Sequence, residues 1–367
     1  MRIIFTCGGT GGHITPALAI ADTVRDNCPN AEILFVGSDG GMETRLVPDA
    51  GYQIVTLRVS GLHRSLTPKN IVVLQRTWRA VGQAKELLRD FRPELVVGTG
   101  GYASFPALLA AAKQKIPTAA HESNATPGLA VRLLSPRLSR VWVNFPETAE
   151  KLPRARCLAV GNPLPRGFGV APPIPSPEGC RLSVLSFGGS LGARELNRAA
   201  IALMENEKNT PEIFHLHATG KAEFEMWQKQ FEEKGLNRAK NLMLVPYLGD
   251  MPRRMAAADV VICRAGAMSI SELAASGKAA VLVPSPNVTG NHQFYNAKAL
   301  ADAGAAILLE EAELAGKLPA VVAALLADGE KRRGMGEKIR QFYCRESNRM
   351  IFEDILKLIK AGEKIGK

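Results

Sequence analysis

The chain has 367 residues, of which 46% are hydrophobic and 22% are charged, as in ordinary soluble globular proteins. This length exceeds what one hydrophobic core usually supports, so two domains are expected. No apolar run approaches the roughly 20 residues that cross a bilayer, and residues 1–7 lead into a glycine turn without a signal-like apolar segment. Disordered, fibrous and integral membrane proteins are therefore disfavoured.

The basic residues outnumber the acidic ones by 46 to 35, which gives a net charge of +11. Residues 58–92 contain eight basic and two acidic residues, together with several large apolar ones. This mixture suits an anionic membrane surface, where each Lys or Arg adds about 1 kcal/mol. We expect membrane contact through Lys69, Val72, Val73, Arg76 and Arg79, next to a loop that contains Leu62.

A helical stripe in the same segment is assigned to the core instead. It consists of Ile71, Leu74, Trp78, Val81 and Leu88, at the spacing of one helix face.

The six cysteines are scattered along the chain without a Cys-x-x-Cys pair. Such spacing favours free thiols in a reducing compartment, so a cytoplasmic setting is expected.

The first half alternates strand-like runs with helical stretches, which predicts a doubly wound parallel sheet. The predicted strands are residues 3–7, 33–36, 54–57, 95–98, 118–120 and 141–143. Thr15-Pro16 is expected to start the first helix. Ligands bind beyond the carboxyl ends of such strands, where residues 8–13 and 98–102 would lie.

A dense series of prolines between residues 161 and 179 marks the domain boundary. The predicted domains are residues 1–163, for acceptor and membrane, and 181–345, for the donor, joined by a linker over 164–180. The second half repeats the pattern with strands at 182–187, 213–216, 242–245, 260–263 and 280–283. Only helices are predicted after residue 314, and the last one, about 346–367, is expected to pack back on the first domain.

Two glycine-rich turns, GGTGGH at 8–13 and GGSLGA at 188–193, each follow a strand and open a helix. Backbone amides and the positive helix end converge at such a turn, which suits a phosphate. Two α/β halves are therefore expected to face a shared cleft. A dinucleotide site is disfavoured because Ile14 stands where the last glycine of G-x-G-x-x-G is required, and no P-loop motif occurs.

The segment 263–272 follows another apolar strand and predicts a helix start at Gly266 or Ala267. Amides there could hold a diphosphate, and Glu272 could accept hydrogen bonds from two ribose hydroxyls. An equal alternative is that Glu272 is simply a carboxylate near the helix start that stabilises the helix dipole. His215 and His217 share a strand face, but no third metal ligand stands at a recognisable spacing, so we interpret them as ordinary strand residues.

Several motifs occur together in the order and spacing of one known family. They are residues 8–13, 98–104, 121–124, 161–163, 188–193 and 264–272, followed by His292-Gln293. Over essentially its full length the chain resembles the MurG family of peptidoglycan glycosyltransferases, which have the GT-B fold of two Rossmann-like domains. The family transfers N-acetylglucosamine from UDP-GlcNAc to the C4 hydroxyl of MurNAc in undecaprenyl-diphosphoryl-MurNAc-pentapeptide, with inversion, on the cytoplasmic membrane face.

The resemblance implies a donor site and an acceptor side. The implied donor-binding residues are Thr10, Gly11, Gly12, Asn124, Arg166, Ser190, Leu248, Ala267, Met268, Ser269, Ile270, Ser271, Glu272 and Gln293. Gly100, Gly101 and Tyr102 join the predicted acceptor and membrane set. His13 is the first choice for the general base, because an imidazole can take the proton of the attacking hydroxyl, and Glu122 is the rival.

No cofactor or metal is expected, because the chain contains no Asp-x-Asp motif and helix termini, turn amides and cationic side chains can meet the charge of the departing UDP. Three alternatives stay open: a GT-B transferase with another acceptor, a UDP-GlcNAc epimerase, and a nucleotide- or nucleic-acid-binding protein. The last is disfavoured because the basic cluster lacks aromatic stacking platforms. The expected partners are UDP-GlcNAc, the lipid-linked acceptor and an anionic membrane surface, without nucleic acid.

Overall fold

The computed structural model describes residues 1–59, 69–189, 192–288 and 291–365. The chain divides into two units, Met1–Pro165 with Cys344–Lys367, and Arg166–Tyr343. Within the described residues, no helix has the length and apolar character needed to span a bilayer.

The first unit contains a seven-stranded parallel sheet. Its strands are β1 (Arg2–Thr6), β2 (Glu32–Ser38), β3 (Gln53–Leu57), β4 (Leu95–Gly98), β5 (Thr118–Glu122), β6 (Arg140–Val143) and β7 (Cys157–Ala159). The order is β3-β2-β1-β4-β5-β6-β7, so the direction of winding reverses between β1 and β4. The helices between them are α1 (Gly11–Asn27), α2 (Glu43–Asp49), α3 (Lys69–Phe91), α4 (Ser104–Lys113) and α5 (Leu129–Leu134).

The second unit contains a six-stranded parallel sheet. Its strands are β8 (Leu182–Phe187), β9 (Ile213–Ala218), β10 (Leu242–Val245), β11 (Val260–Cys263), β12 (Ala279–Leu282) and β13 (Ile307–Leu308), in the order β10-β9-β8-β11-β12-β13. Its helices are α6 (Arg194–Glu207), α7 (Phe224–Glu233), α8 (Met251–Ala257), α9 (Ala267–Ser276), α10 (His292–Asp302), α11 (Leu314–Ala327) and α12 (Gly329–Arg340). Both units are Rossmann-like, as predicted.

Apolar runs form the central strands because helices cover both faces of each sheet. Ile3, Phe5 and Val97 lie in one core of the first sheet, and Ile4 and Val96 lie in another. All the predicted strands are confirmed to within a few residues, whereas β7 and β13 were not predicted. These two edge strands have only three and two residues, too few to show a strand pattern in the sequence.

The prediction that Thr15-Pro16 starts a helix is wrong. Helix α1 begins at Gly11, directly after the extended residue Thr10, and Pro16 lies inside it. The amides of His13 and Ile14 already bond to the carbonyl of Thr10, at 3.1 and 3.2 Å. The helix therefore starts within the glycine turn itself.

The assignment of faces on α3 also requires correction. Val73, predicted to contact membrane, is 5% exposed, whereas Leu74 and Trp78, predicted to lie in the core, are 50% and 59% exposed. The buried face instead combines Val73 with Ala80, Val81, Ala84 and Leu88. Small residues at 80 and 84 allow α4 to pack closely there, and this contact sets the rotation of the helix.

The last helix, α13 (Ser347–Ile365), belongs to the first unit and packs against α1. The proline-rich segment from residue 166 belongs to the second unit, where the amide of Ile174 donates to the carbonyl of Arg253 at 3.4 Å. All six cysteines are free thiols.

Candidate functional site

The winding of the first sheet reverses between β1 and β4, and the loops after these two strands lie together. The amide of Thr99 donates to the carbonyl of Thr6 at 3.0 Å, and the Thr99 hydroxyl donates to the carbonyl of His13 at 2.6 Å. The Ser104 hydroxyl donates to the same Thr6 carbonyl at 2.9 Å. Residues 8–13 and 98–104 therefore form one structural element at the carboxyl edge of the sheet, where doubly wound proteins bind ligands.

His13 is half-buried in the first turn of α1, and a backbone contact sets the orientation of its imidazole. Its Nδ1 lies 3.0 Å from the carbonyl oxygen of Gly8. Since a carbonyl can only accept, Nδ1 carries the proton and Nε2 of the neutral ring keeps its lone pair. In this tautomer His13 can remove a proton through Nε2.

The glycines of the second loop make room for this arrangement. A Cβ on Gly100 would lie 2.5 Å from Cδ2 and 2.8 Å from Nε2 of His13, and one on Gly101 would lie 2.3 Å from the carbonyl oxygen of Gly8. Both residues also have positive φ angles, 114° and 89°. Only glycine fits at these positions. Tyr102 beside them is exposed.

Glu122, the rival base, is buried and holds its own loop in place. Oε1 accepts from the backbone amide of Asn124 at 3.0 Å and from its side-chain amide at 3.2 Å, while Oε2 accepts from the amide of Gly128 at 2.8 Å. Hydrogen bonds to both carboxylate oxygens therefore stabilise the conformation of residues 122–128, and the same contacts orient Asn124.

The sequence interpretation missed Glu43, the first residue of α2. Its buried carboxylate accepts from the amide of Gly9 at 3.1 Å and from the amide of Ser38 at 2.8 Å. Glycines at 37, 40 and 41 precede Glu43 just after a predicted strand and indicate a tight loop, but they do not identify the partners of its carboxylate. The predicted donor residues Thr10, Gly11 and Gly12 lie at the start of α1, next to this contact.

In the second unit, the N-terminus of α9 follows the end of β11, as predicted, with Gly266 in the capping position. Residues 267–272 form the first part of this ten-residue helix, whose positive end favours an anion. Burial raises the pKa of the Glu272 carboxyl to about 8, and no hydrogen bond from the described residues offsets this desolvation. A ligand with paired hydroxyl donors would stabilise the ionised carboxylate.

The remaining predicted donor residues are distributed around the same sheet. Leu248 is buried in one core cluster with Ala265 and Ile270 of the α9 region. The Gln293 side chain accepts from the amide of Ser285 at 2.9 Å, beyond the end of β12. Arg166 is exposed at the first position of the unit. Ser190 and Leu62 lie outside the described residues, and the side chains of Lys69 and Ile71 are not among those that the structure describes.

Arg264 stabilises the loop between β11 and α9. Its Nη1 donates to the carbonyls of Val283 and Pro284, both at 3.2 Å, and its Nη2 pairs with Glu311. These contacts tie the ends of β11 and β12 together, so the start of α9 has a fixed position relative to the sheet.

His215 and His217 are fully buried within a polar network and point to the same serine. Ser186 Oγ lies 2.7 Å from Nε2 of His215 and 2.7 Å from Nδ1 of His217, while Glu207 contacts the other nitrogen of His215. Desolvation lowers the pKa of His217 to about 3, so this imidazole is neutral. In the described part of the chain, no group of three or more His, Cys, Asp or Glu side chains is placed to hold a metal.

The chain matches two family models. Residues 3–143 match the N-terminal domain of glycosyltransferase family 28, and residues 183–355 match its C-terminal domain. The first match covers strands β1 to β6 of the first sheet, and the second covers strands β8 to β13 of the second sheet.

Curated relatives extend over nearly the whole chain. A protein from Desulforudis audaxviator is 43% identical, over 91% of this chain and 92% of its own. One from Halothermothrix orenii is 40% identical, over 93% and 94%. Both are named UDP-N-acetylglucosamine--N-acetylmuramyl-(pentapeptide) pyrophosphoryl-undecaprenol N-acetylglucosamine transferase.

Solved structures also match nearly the whole chain. MurG from Acinetobacter baumannii is 28% identical with a TM-score of 0.71, and the match covers 97% of this chain and 99% of that one. A UDP-GlcNAc 2-epimerase from Neisseria meningitidis has a TM-score of 0.67 over 97% and 100%, but at 14% identity it shares the fold alone. The chain therefore belongs to the MurG family of glycosyltransferases, within glycosyltransferase family 28.

Proposed function

We propose that the chain transfers N-acetylglucosamine from UDP-GlcNAc to the C4 hydroxyl of MurNAc in undecaprenyl-diphosphoryl-MurNAc-pentapeptide, with inversion and without a metal. The observation that carries this proposal is the identity of 43% over 91% of the chain to a relative named for that transfer.

His13 is the proposed general base. The acceptor oxygen attacks C1 of the sugar while its proton passes to Nε2, and the bond from C1 to the UDP oxygen breaks with its electron pair leaving on UDP. One displacement at C1 inverts the configuration. The contact between Nδ1 and Gly8 supports this role because it leaves Nε2 as the acceptor nitrogen. Glu122 is the weaker candidate because its oxygens already accept three hydrogen bonds.

The second unit is proposed to bind the nucleotide. The positive end of α9 would stabilise the diphosphate as negative charge develops on it, and Glu272 would accept hydrogen bonds from the two ribose hydroxyls. Leu248 would offer backbone groups to the uracil, and Asn124 and Gln293 would contact the sugar. Metal independence is proposed because fixed dipoles supply this stabilisation and the sequence has no Asp-x-Asp motif.

Peripheral binding to the cytoplasmic face of an anionic membrane is also proposed. Val72, Leu74 and Trp78 are large apolar side chains exposed on α3, and Arg76 and Arg79 are exposed beside them. On α4, Lys113 lies 5.1 Å from the centre of the Trp78 ring. Basic and apolar side chains together favour a surface of anionic lipid.

The decisive experiment incubates purified protein with labelled UDP-GlcNAc and MurNAc-pentapeptide lipid in the presence of EDTA. Disaccharide lipid formed under chelation supports the donor, the acceptor and metal independence together. Activity restored only by added divalent ions would reject metal independence. A parallel reaction without acceptor tests the epimerase, because an epimerase converts UDP-GlcNAc to its 2-epimer with no lipid present.

A further inference from the structure

We propose that Glu43 is a positioning residue for His13, acting through the peptide group that joins Gly8 to Gly9. The inference rests on the proposed role of His13 as base and deepens it. It assigns a purpose to a buried carboxylate to which no role was given from the sequence.

A single peptide group connects the two side chains. Its N–H, from Gly9, donates to Oε2 of Glu43 at 3.1 Å, and its carbonyl, from Gly8, accepts from Nδ1 of His13 at 3.0 Å. In a trans peptide the N–H and C=O groups point in opposite directions. The peptide therefore lies between the carboxylate and the imidazole and makes a hydrogen bond to each.

The backbone around Glu43 is shaped to hold a carboxylate. Glu43 is 0% exposed, and none of the Lys and Arg side chains that the structure describes forms an ion pair with it. Its Oε1 accepts from both the amide and the hydroxyl of Ser38. A Cβ added at Gly8 or Gly41 would lie 2.2 or 2.4 Å from a carboxylate oxygen, and one at Gly37 would lie 2.5 Å from Cγ.

The charge on Glu43 has a direct consequence for the imidazole. A buried charge is costly unless hydrogen bonds satisfy it, and bonds to an ionised acceptor are roughly twice as strong as neutral ones. When the Gly9 N–H donates to a carboxylate, the peptide is polarised and its carbonyl becomes a better acceptor, by about 10–30% per bond. The Gly8 carbonyl then holds the Nδ1 proton more firmly, and Nε2 stays available as the base.

The test is Glu43→Gln, which keeps the size of the side chain and removes its charge. Both oxygens of Glu43 accept, so the amide nitrogen of glutamine must face either the Gly9 N–H or the donors of Ser38. We expect kcat to fall by about tenfold to a hundredfold, within what a positioned base contributes, and KM for UDP-GlcNAc to change by less than about twofold. Glu94→Gln is the matched control, since Glu94 accepts from the amide of Arg2 at 2.6 Å, at the opposite end of β1.

A double-mutant cycle separates positioning from a general structural effect. If Glu43 acts through His13, Glu43→Gln lowers kcat in the wild type but not in the His13→Ala background. Equal losses in both backgrounds, or a normal kcat for Glu43→Gln, would overturn the proposal while leaving the base assignment intact. Normal turnover by His13→Ala alone would instead reject the proposed base.

Nitrogen-15 NMR of His13 keeps the proposal testable if the variant does not fold. In the folded wild type, at a pH where the ring is neutral, the imidazole should carry its proton on Nδ1. Glu43→Gln should shift the ring towards the Nε2–H tautomer. A wild-type spectrum that shows the proton on Nε2 would overturn the proposal without any variant.

Discussion

Asp354 in the last helix and Arg140 in β6 form a bidentate ion pair within the first unit, although 214 residues separate them in the sequence. The two contacts are 2.8 and 3.0 Å, and the indole of Trp142 donates to the same carboxylate at 2.8 Å. Asp354 is only 4% exposed. The pair joins α13 to a sheet whose strands all precede residue 160.

Asp354→Ala should therefore destabilise the first unit by about 3 kcal/mol, because removal of one partner leaves buried donors without an acceptor. Urea unfolding followed by circular dichroism measures this change. Glu353→Ala is the control: Glu353 pairs with Arg349 on the surface, and its loss should cost less than about 1 kcal/mol. Similar values for the two variants would contradict the structural role of Asp354.

His13→Ala should lower kcat by about 10² to 10⁴, the usual contribution of a positioned base. UDP-GlcNAc binding should change little, because the proposed contacts to uracil, ribose and diphosphate lie in the second unit and His13 is assigned to the acceptor hydroxyl. Steady-state kinetics with the lipid acceptor and calorimetric titration with UDP-GlcNAc measure the two quantities. Near-normal turnover would remove His13 from this role.

Gly100→Ala should inactivate the protein with only a modest loss of stability. The added methyl group would lie 2.5 Å from the His13 ring and displace it from Gly8. Gly51→Ala is the control, since Gly51 also has a positive φ but its added methyl group would contact only an arginine nitrogen at 3.8 Å. Both variants carry a backbone strain of about 1–3 kcal/mol, so kcat and not melting temperature should separate them.

The affinity for UDP-GlcNAc should rise with pH between about 6.5 and 8. The pKa of Glu272 lies near 8 before binding, so the carboxyl is largely protonated below that pH, whereas ribose hydroxyls favour the ionised form. Binding then releases a proton, and Kd falls by at most about tenfold per pH unit up to the pKa and is constant above it. Titration calorimetry in buffers of different ionisation enthalpy detects this proton. Glu272→Gln should give a weaker Kd that does not depend on pH; a pH-independent Kd in the wild type would contradict the ribose contact.

Arg76→Ala with Arg79→Ala should weaken binding to anionic vesicles by roughly 30-fold, at about 1 kcal/mol for each charge. Lys85→Ala with Arg89→Ala removes the same charge roughly 14 Å along the helix, beyond one Debye length, and should have a smaller effect. Vesicle co-sedimentation at 0.15 M salt compares the two pairs. Equal losses would show a diffuse charge effect and reject a specific surface.

Substitutions at buried and at exposed apolar positions of α3 should affect different properties of the protein. Trp78→Ala should weaken vesicle binding without loss of stability. Val73→Ala should cost about 1–2 kcal/mol of stability, for two buried carbons and a small cavity, and leave vesicle binding unchanged. Unfolding and co-sedimentation of both variants provide the comparison, and the reverse pattern would contradict the face assignment.

The sequence by itself determined the strands other than the short edge strands β7 and β13, the two glycine turns, and a helix start at Gly266 or Ala267. Central parallel strands are buried on both faces and therefore consist of apolar runs. Glycine turns depend on the backbone conformation of a few neighbouring residues. Both features can therefore be recognised from short stretches of sequence. The resemblance to the family depended on the same local motifs.

Only the tertiary structure decided which side of α3 is buried and what Glu43, Glu122 and Asp354 do. The rotation of α3 depends on close packing against α4, which small residues at 80 and 84 permit, so Val73 and Trp78 exchanged the environments expected of them. The three carboxylates act on partners that only folding brings within hydrogen-bonding distance, such as the Gly9 amide for Glu43 and Arg140 for Asp354. Such contacts depend on three-dimensional distance, and sequence spacing carries no signal of it.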